Sequence, residues 1–135
     1  MKLVCIAGPF RDHYTGPDGR YNFWKQDQNV NDAAGIALKV WAMGAAVICP
    51  HLNTRPFQGA LTDDVWLNGD LEMIRRCDYL VLIPGWEGSE GTCNEKAFAH
   101  GSGLIVFEWD SILHDARAMT HSGVMLNMFL NDLLK

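Results

Sequence analysis

The sequence predicts an α/β protein, a single domain on a doubly wound parallel sheet of four to five strands, Rossmann-like or flavodoxin-like in order. Three observations carry this. Short apolar runs alternate with longer segments of helical period. The first three runs each stop at proline or at a glycine–proline pair. The 135 residues suit one domain, spanning 1–135, large enough to bury a core. Right-handed crossovers then restrict such alternation to a few strand orders.

Leu3–Ala7 reads as a buried first strand ended by Gly8-Pro9. A long loop follows from Phe10 to about Gln28, with a turn cluster at Gly16, Pro17, Asp18 and Gly19. From Asn29 to Gly44 the apolar residues Ala33, Ile36, Ala37, Val40 and Trp41 recur at helical spacing, and Gly44 supplies the stop. Ala45–Cys49 is the second strand, closed by Pro50, and His51 to Leu61 is a second long loop. Thr62-Asp63-Asp64 signals the start of a helix running to about Arg76. Tyr79–Ile83 is the third strand, a helix runs from Gly91 or Thr92 to His100, and Leu104–Phe107 is the fourth strand. Two weaker helices, about Ser111–Met119 and Val124–Leu134, are expected to complete the chain.

Composition narrows the function. Eleven Lys and Arg against sixteen Asp and Glu give a net charge of −5, and the basic residues are scattered. That excludes a duplex-DNA binder, which needs a concentrated basic face. No apolar run approaches the roughly 18 residues of a membrane span, and Leu3–Ala7 is too short for a secretory signal. The cysteines Cys5, Cys49, Cys77 and Cys93 lack a CxxC spacing and read as reduced thiols rather than a metal site. The cytoplasm is the expected compartment, and no metal or cofactor is expected.

In such a fold the ligand lies beyond the carboxyl ends of the strands, where their order reverses. The segments leaving strands one and three, Gly8-Pro9-Phe10-Arg11 and Pro84–Gly91, should flank that crevice. Two carboxylates interrupt apolar stripes nearby. Glu95 shares a helix face with Thr92, Phe98 and Ala99, close enough to the helix start for the dipole to favour its ionised form. It fits a capping partner equally well. Asp70 shares a face with Trp66, Met73 and Cys77, and, taken alone, a hydrogen bond to a loop or a pairing with Arg75 or Arg76 explains it better than a catalytic role. Two such carboxylates in one crevice fit a nucleophile and a proton carrier, as in retaining glycoside chemistry. Asp78 and His100 read as structural, the latter as a helix C-terminal cap.

The combination Ile6-Ala-Gly-Pro-Phe-Arg11, Asp70-Leu71, Cys77-Asp78 and Pro84-Gly-Trp-Glu-Gly-Ser-Glu-Gly-Thr-Cys-Asn-Glu95 resembles the nucleoside 2-deoxyribosyltransferase-like superfamily over about residues 3 to 107. It is most similar to a branch of small phage and bacterial proteins related to 2'-deoxynucleoside 5'-monophosphate N-glycosidases. The resemblance implies that Glu95 attacks C1' of the sugar and that Asp70 transfers a proton to the departing base. It also implies that Ser89 contacts a phosphate and that Gly8 and Arg11 face sugar or phosphate. Phe10, His51, Trp86, Gly91 and Thr92 complete the expected substrate-binding set. Tyr14, Tyr21, Phe23 and Trp24 either stack on a base or pack the long loop.

The expected function is N-glycosidic bond cleavage or base exchange on a nucleoside or nucleoside 5'-monophosphate through a glycosyl-Glu95 intermediate. The rivals are a lysine-decarboxylase-like phosphoribohydrolase and a nucleotide-binding sensor or sponge without turnover. The first typically shows a tighter Pro-Gly-Gly-x-Gly-Thr loop; the intact carboxylate pair disfavours the second. A shallow crevice in so short a chain leads us to expect a homo-oligomer.

Overall fold

The computed structural model describes residues 1–10 and 22–135. Strand β1 (Leu3–Ala7) carries large or small apolar residues throughout and is buried on both faces, as a central parallel strand requires. It pairs in parallel with β2 (Ala46–Ile48) on one side and β3 (Tyr79–Leu82) on the other. Strand β4 (Ile105–Asp110) continues the parallel set beside β3. Helix α1 (Phe23–Ala42) packs Ala33, Ile36, Ala37 and Val40 on the face formed by Val4, Ile6, Val81 and Phe107. The opposite face, with Cys5, Ala7, Leu80 and Leu82, is covered by Ile74 from α3 (Asp63–Arg75) and Ala99 from α4 (Glu90–Gly101). The two-residue alternation of β1 and β3 thus feeds two cores, one on each side of the sheet.

The sheet has six strands in the order β2-β1-β3-β4-β5-β6, not four to five. The difference lies at the C-terminus, where two helices were expected. Asp115–Met119 is β5 and Met125–Phe129 is β6, both antiparallel, and only Leu130–Leu134 is helical, as α5. Ala, Leu and Met favour helices and hide the two-residue period, in which Ala116 and Ala118 point inward around an exposed Arg117. The turns carry the missed signal. Asp110 Oδ1 accepts from the Ile112 and Leu113 amides at 2.8 and 3.0 Å, and Gly123 takes φ +89°.

Helix α1 begins six residues before the expected Asn29, capped by Asn22, whose Oδ1 accepts from the Lys25 amide at 3.1 Å. It opens with exposed Phe23 and Trp24 and then runs polar to Asn29, so no apolar stripe marks its start. The second loop holds a short helix, α2 (Pro50–Thr54), followed by a 3₁₀ turn at Arg55–Phe57. Asp78 is structural as expected, its Oδ2 accepting from the Leu3 amide at 2.8 Å. His100 is not the cap of α4. Ser102 closes the helix through its backbone amide, and the His100 ring packs edge-on against His121 at 5.1 Å. The four cysteines are free thiols, three of them buried. Among the described residues no helix is long and apolar enough to cross a membrane.

At the end of β1 the chain passes so close to Ile83 that only glycine fits. A Cβ on Gly8 would lie 2.0 Å from Ile83 Cγ1 and 2.4 Å from its Cδ1. Ile83 is itself buried and stiff at χ1. Gly8→Ala is expected to cost at least about 1–3 kcal/mol, the range for forced overpacking. Urea denaturation measures it.

Candidate active site

The carboxyl ends of β1, β2 and β3 open into a cleft of about 380 Å³. That lies at the small end of the roughly 300–1,000 Å³ typical of small-molecule sites. Strand order explains its position, because β1 hands the chain to β2 on one side while β3 lies on the other. The segment after β1 supplies Gly8 and Phe10. Helix α2 and the turn after it supply His51, Thr54 and Gln58. The α3 face Asp63, Trp66, Leu67 and Asp70 forms one wall, and Ser89 to Thr92 with Asn94 and Glu95 form the other.

Eight of the ten expected site residues line this one cleft: Gly8, Phe10, His51, Asp70, Ser89, Gly91, Thr92 and Glu95. Arg11 lies outside the described residues, as do Tyr14 and Tyr21. Trp86, expected to bind substrate, does not line the cleft. Its indole Nε1 donates to Glu108 Oε1 at 3.3 Å, its ring packs on the core beneath α4, and Lys96 Nζ sits 5.3 Å from the ring centroid. Trp86 therefore anchors the loop that delivers α4. Phe23 and Trp24 are solvent-exposed at the start of α1 and do not line the cleft either.

Asp63, Leu67 and Asn94 were not singled out from the sequence. Asp63 and Leu67 continue the stripe of Trp66 and Asp70 at helical spacing, so a signal existed, but Asp63 reads first as part of a helix start. Gln58 carried no such signal, since irregular chain has no period.

Local hydrogen bonds shape each wall. Ser89 caps α4: its Oγ accepts from the Thr92 amide at 3.2 Å and from Thr92 Oγ1 at 2.9 Å. The Thr92 amide, expected to hold substrate, is thus committed to the helix, whereas the hydroxyl proton of Ser89 is left to donate elsewhere. Across the cleft, His51 Nε2 donates to the Pro9 carbonyl at 2.9 Å, and Asn29 Nδ2 donates to the Phe10 carbonyl at 3.2 Å. These two bonds tie the segment after β1 to α2 and α1.

Electrostatics separate the two carboxylates. Burial raises Asp70 to about 6. Burial, and then the charge of Asp70, raise Glu95 to about 8. The helix dipole was expected to favour ionised Glu95; the loss of water around it outweighs that. Near pH 7 these directions favour one proton on the pair, held by Glu95 rather than Asp70. Among the described residues lining the cleft, four are carboxylates (Asp63, Asp70, Glu90 and Glu95) and none is lysine or arginine. None of the described residues forms a group of three or more His, Cys, Asp or Glu suited to a metal ion.

This sheet, with its cleft at the reversal of strand order, shares its fold with a solved 2-deoxyribosyltransferase. The chain belongs to the family described as domain of unknown function DUF4406, whose profile matches residues 24–108, from the start of α1 into β4. Among solved structures it is similar to a 2-deoxyribosyltransferase from Bacillus psychrosaccharolyticus, with TM-score 0.55 and 21% identity over 78% of this chain and 70% of that one. A 2-desoxiribosyltransferase from Leishmania mexicana has TM-score 0.48 and 21% identity, over 82% of this chain and 66% of that one. No curated protein sequence matches the chain.

The raised value of Glu95 is also a statement about stability. A carboxylate whose value is higher folded than unfolded contributes no penalty below its unfolded value near 4.5, and an increasing one as the pH rises toward 8. Glu95→Gln removes that penalty, on the order of a few kcal/mol. Its melting temperature should match the wild type near pH 4.5 and exceed it by several degrees at pH 8.5. Calorimetric scans across that range check this.

Proposed function

We propose that the protein cleaves the N-glycosidic bond of a nucleoside or nucleoside 5'-monophosphate, in the deoxy series, by way of a glycosyl-Glu95 intermediate. One observation carries the reading. Two carboxylates from different helices line one small cleft, and burial raises Asp70 to about 6 and Glu95 to about 8, which favours a single proton on the pair near neutral pH. A double displacement at a sugar carbon needs that charge state, with one group anionic to attack and one protonated to serve the leaving group.

The chemistry runs as follows. The pair's single proton moves to Asp70, leaving Glu95 anionic. A Glu95 carboxylate oxygen forms a bond to C1' as the C1'–N bond breaks, and the bond's electron pair leaves with the base. Asp70 delivers its proton to that base. In the second step Asp70, now a base, takes a proton from water, whose oxygen attacks C1' and releases Glu95. A second nucleobase in place of water gives transfer instead. Ser89 directs its hydroxyl proton to a 5' oxygen, and Gly91 at the start of α4, with Arg11, favours a 5'-phosphate if one is present. Gly8 presents its backbone to the sugar at the floor of the cleft. We place the protein in the cytoplasm and expect a second copy of the chain to close the cleft. Sedimentation velocity reads that assembly state.

Glu95→Ala and Glu95→Gln are expected to abolish base release, by at least about 10³-fold, in a folded protein. Asp70→Asn should slow release most for the bases that leave worst, since protonation matters most there. Chromatography of free base from a panel of nucleosides and nucleotides measures both. Wild-type rates for Glu95→Ala on every accepted compound would end the proposal. Tight binding without base release would favour the sensor reading.

The rate should follow a bell in pH. It falls below about 6, where both carboxylates are protonated and no nucleophile remains, and above about 8, where both are ionised and no acid remains. A profile of kcat/KM between pH 4.5 and 9.5 tests it, and Asp70→Asn should flatten one limb.

A further inference from the structure

Three polar side-chain atoms in the walls of the cleft have no hydrogen-bond partner among the described residues: His51 Nδ1, Trp66 Nε1 and Asp70 Oδ1. Buried polar atoms are almost always paired, and leaving one unpaired costs about 1–3 kcal/mol. Three around one cavity mark a surface completed by a ligand. Asp70 already has a role in the proposed chemistry. His51 and Trp66 do not.

Their hydrogen-bonding characters are opposite and fixed. His51 is 6% exposed, and its Nε2 faces the Pro9 carbonyl, which can only accept. Nε2 therefore carries the proton, and in the neutral ring Nδ1 presents a lone pair. Burial keeps the ring neutral, outweighing the opposite pull of the Pro9 and Gly8 carbonyls. Phe10 stands edge-on to the ring at 5.6 Å and holds its orientation. Trp66, by contrast, can only donate. Its ring stacks on Phe57 at 6.2 Å, and it lies one turn before Asp70 on the same face of α3.

The two walls of the cleft also differ in kind. The α4 wall is polar, with Ser89, Thr92, Asn94 and Glu95, and suits a sugar and its 5' substituent. The other wall, with Phe10, His51 and Trp66, is aromatic and suits a planar heterocycle. Asp70 belongs to the aromatic wall, where a departing base would need its proton.

We propose that His51 and Trp66 select the base, His51 Nδ1 accepting from a ring N–H or amino group and Trp66 Nε1 donating to a carbonyl or ring nitrogen of the same base. The site then takes nucleobases that carry a hydrogen-bond donor and rejects isosteres that lack one. This rests on the nucleoside reading above and names the groups that choose the base.

The test compares each nucleoside with its donor-less isostere: 2'-deoxyadenosine with purine 2'-deoxyriboside, and 2'-deoxycytidine with 2-pyrimidinone 2'-deoxyriboside, as free nucleosides and as 5'-monophosphates. The kcat/KM ratio within each pair is measured for the wild type and for His51→Gln, whose amide can still donate to Pro9 but offers no lone pair at the Nδ1 position. Intrinsic bond strength is common to both proteins, so the change in ratio reports recognition alone. The ratio should fall about tenfold or more in His51→Gln. Trp66→Phe, which keeps the stack on Phe57, should lower kcat/KM for both members of a pair alike.

A ratio unchanged in His51→Gln, with base release intact, overturns base selection and leaves the N-glycosidic reading standing. A wild type that binds and cleaves none of these compounds overturns both. If His51→Gln does not fold, calorimetric affinities of Glu95→Gln for the same pairs decide. A tenfold preference for the donor-bearing member supports the proposal, and equal affinities overturn it.

Discussion

Everything in the cleft hangs from one strand. β1 pairs in parallel with β2 on one side and β3 on the other, so the chain leaving it emerges between two crossovers that run in opposite directions. The walls of the cleft are the segments that follow those two neighbours. Gly8 makes the arrangement possible, because the chain there runs against Ile83 with no room for a side chain, while the Ile83 amide bonds the Ala7 carbonyl at 2.9 Å. A larger residue at this position would push the floor of the cleft away from the sheet.

The second constraint is the shared face of α3 and α4. Both helices cover the side of the sheet opposite α1, and each brings one carboxylate to the same cavity. Neither carboxylate forms an ion pair among the described residues, although Arg75 and Arg76 lie near Asp70 in sequence. Those arginines instead bond Glu72 on the exposed side of α3. Glu72 lies two residues from Asp70 and so on the opposite face of the helix; burial raises Asp70 to about 6, while Glu72 is held to about 2 by its two arginines. The same helix thus carries an acid poised near neutrality and one that is always ionised. Exposure and partners, not residue type, decide between them.

The N-terminal two thirds of the fold was legible in the sequence because its signals are local. Runs such as Leu3–Ala7 and Tyr79–Leu82, stopped by proline or glycine, are buried strands, and the stripe of α1 from Ala33 to Val40 is a core face. The C-terminal hairpin was not legible. Its strands are made of helix-favouring Ala, Met and Leu, and they are strands because β4 offers an edge for β5 to pair with. Of the site, Asp70 and Glu95 stand out in the sequence as carboxylates on apolar stripes. Trp86 illustrates the converse: an aromatic in a glycine-rich loop looks like a ligand platform, yet it is spent on Glu108 and the core.

By itself, then, the sequence determined the α/β architecture with its four parallel strands, the end of the sheet where the cleft opens and two carboxylates that line it. These depend on periodicity and on where the chain must turn. Only the tertiary structure decided the protonation of that pair, the capping duty of Ser89 and the unpaired nitrogens of His51 and Trp66. Burial, tautomer and partner are properties of the space between elements, where β1, α2, α3 and α4 meet. No spacing along the chain encodes the dielectric or the vacant hydrogen-bond positions found there.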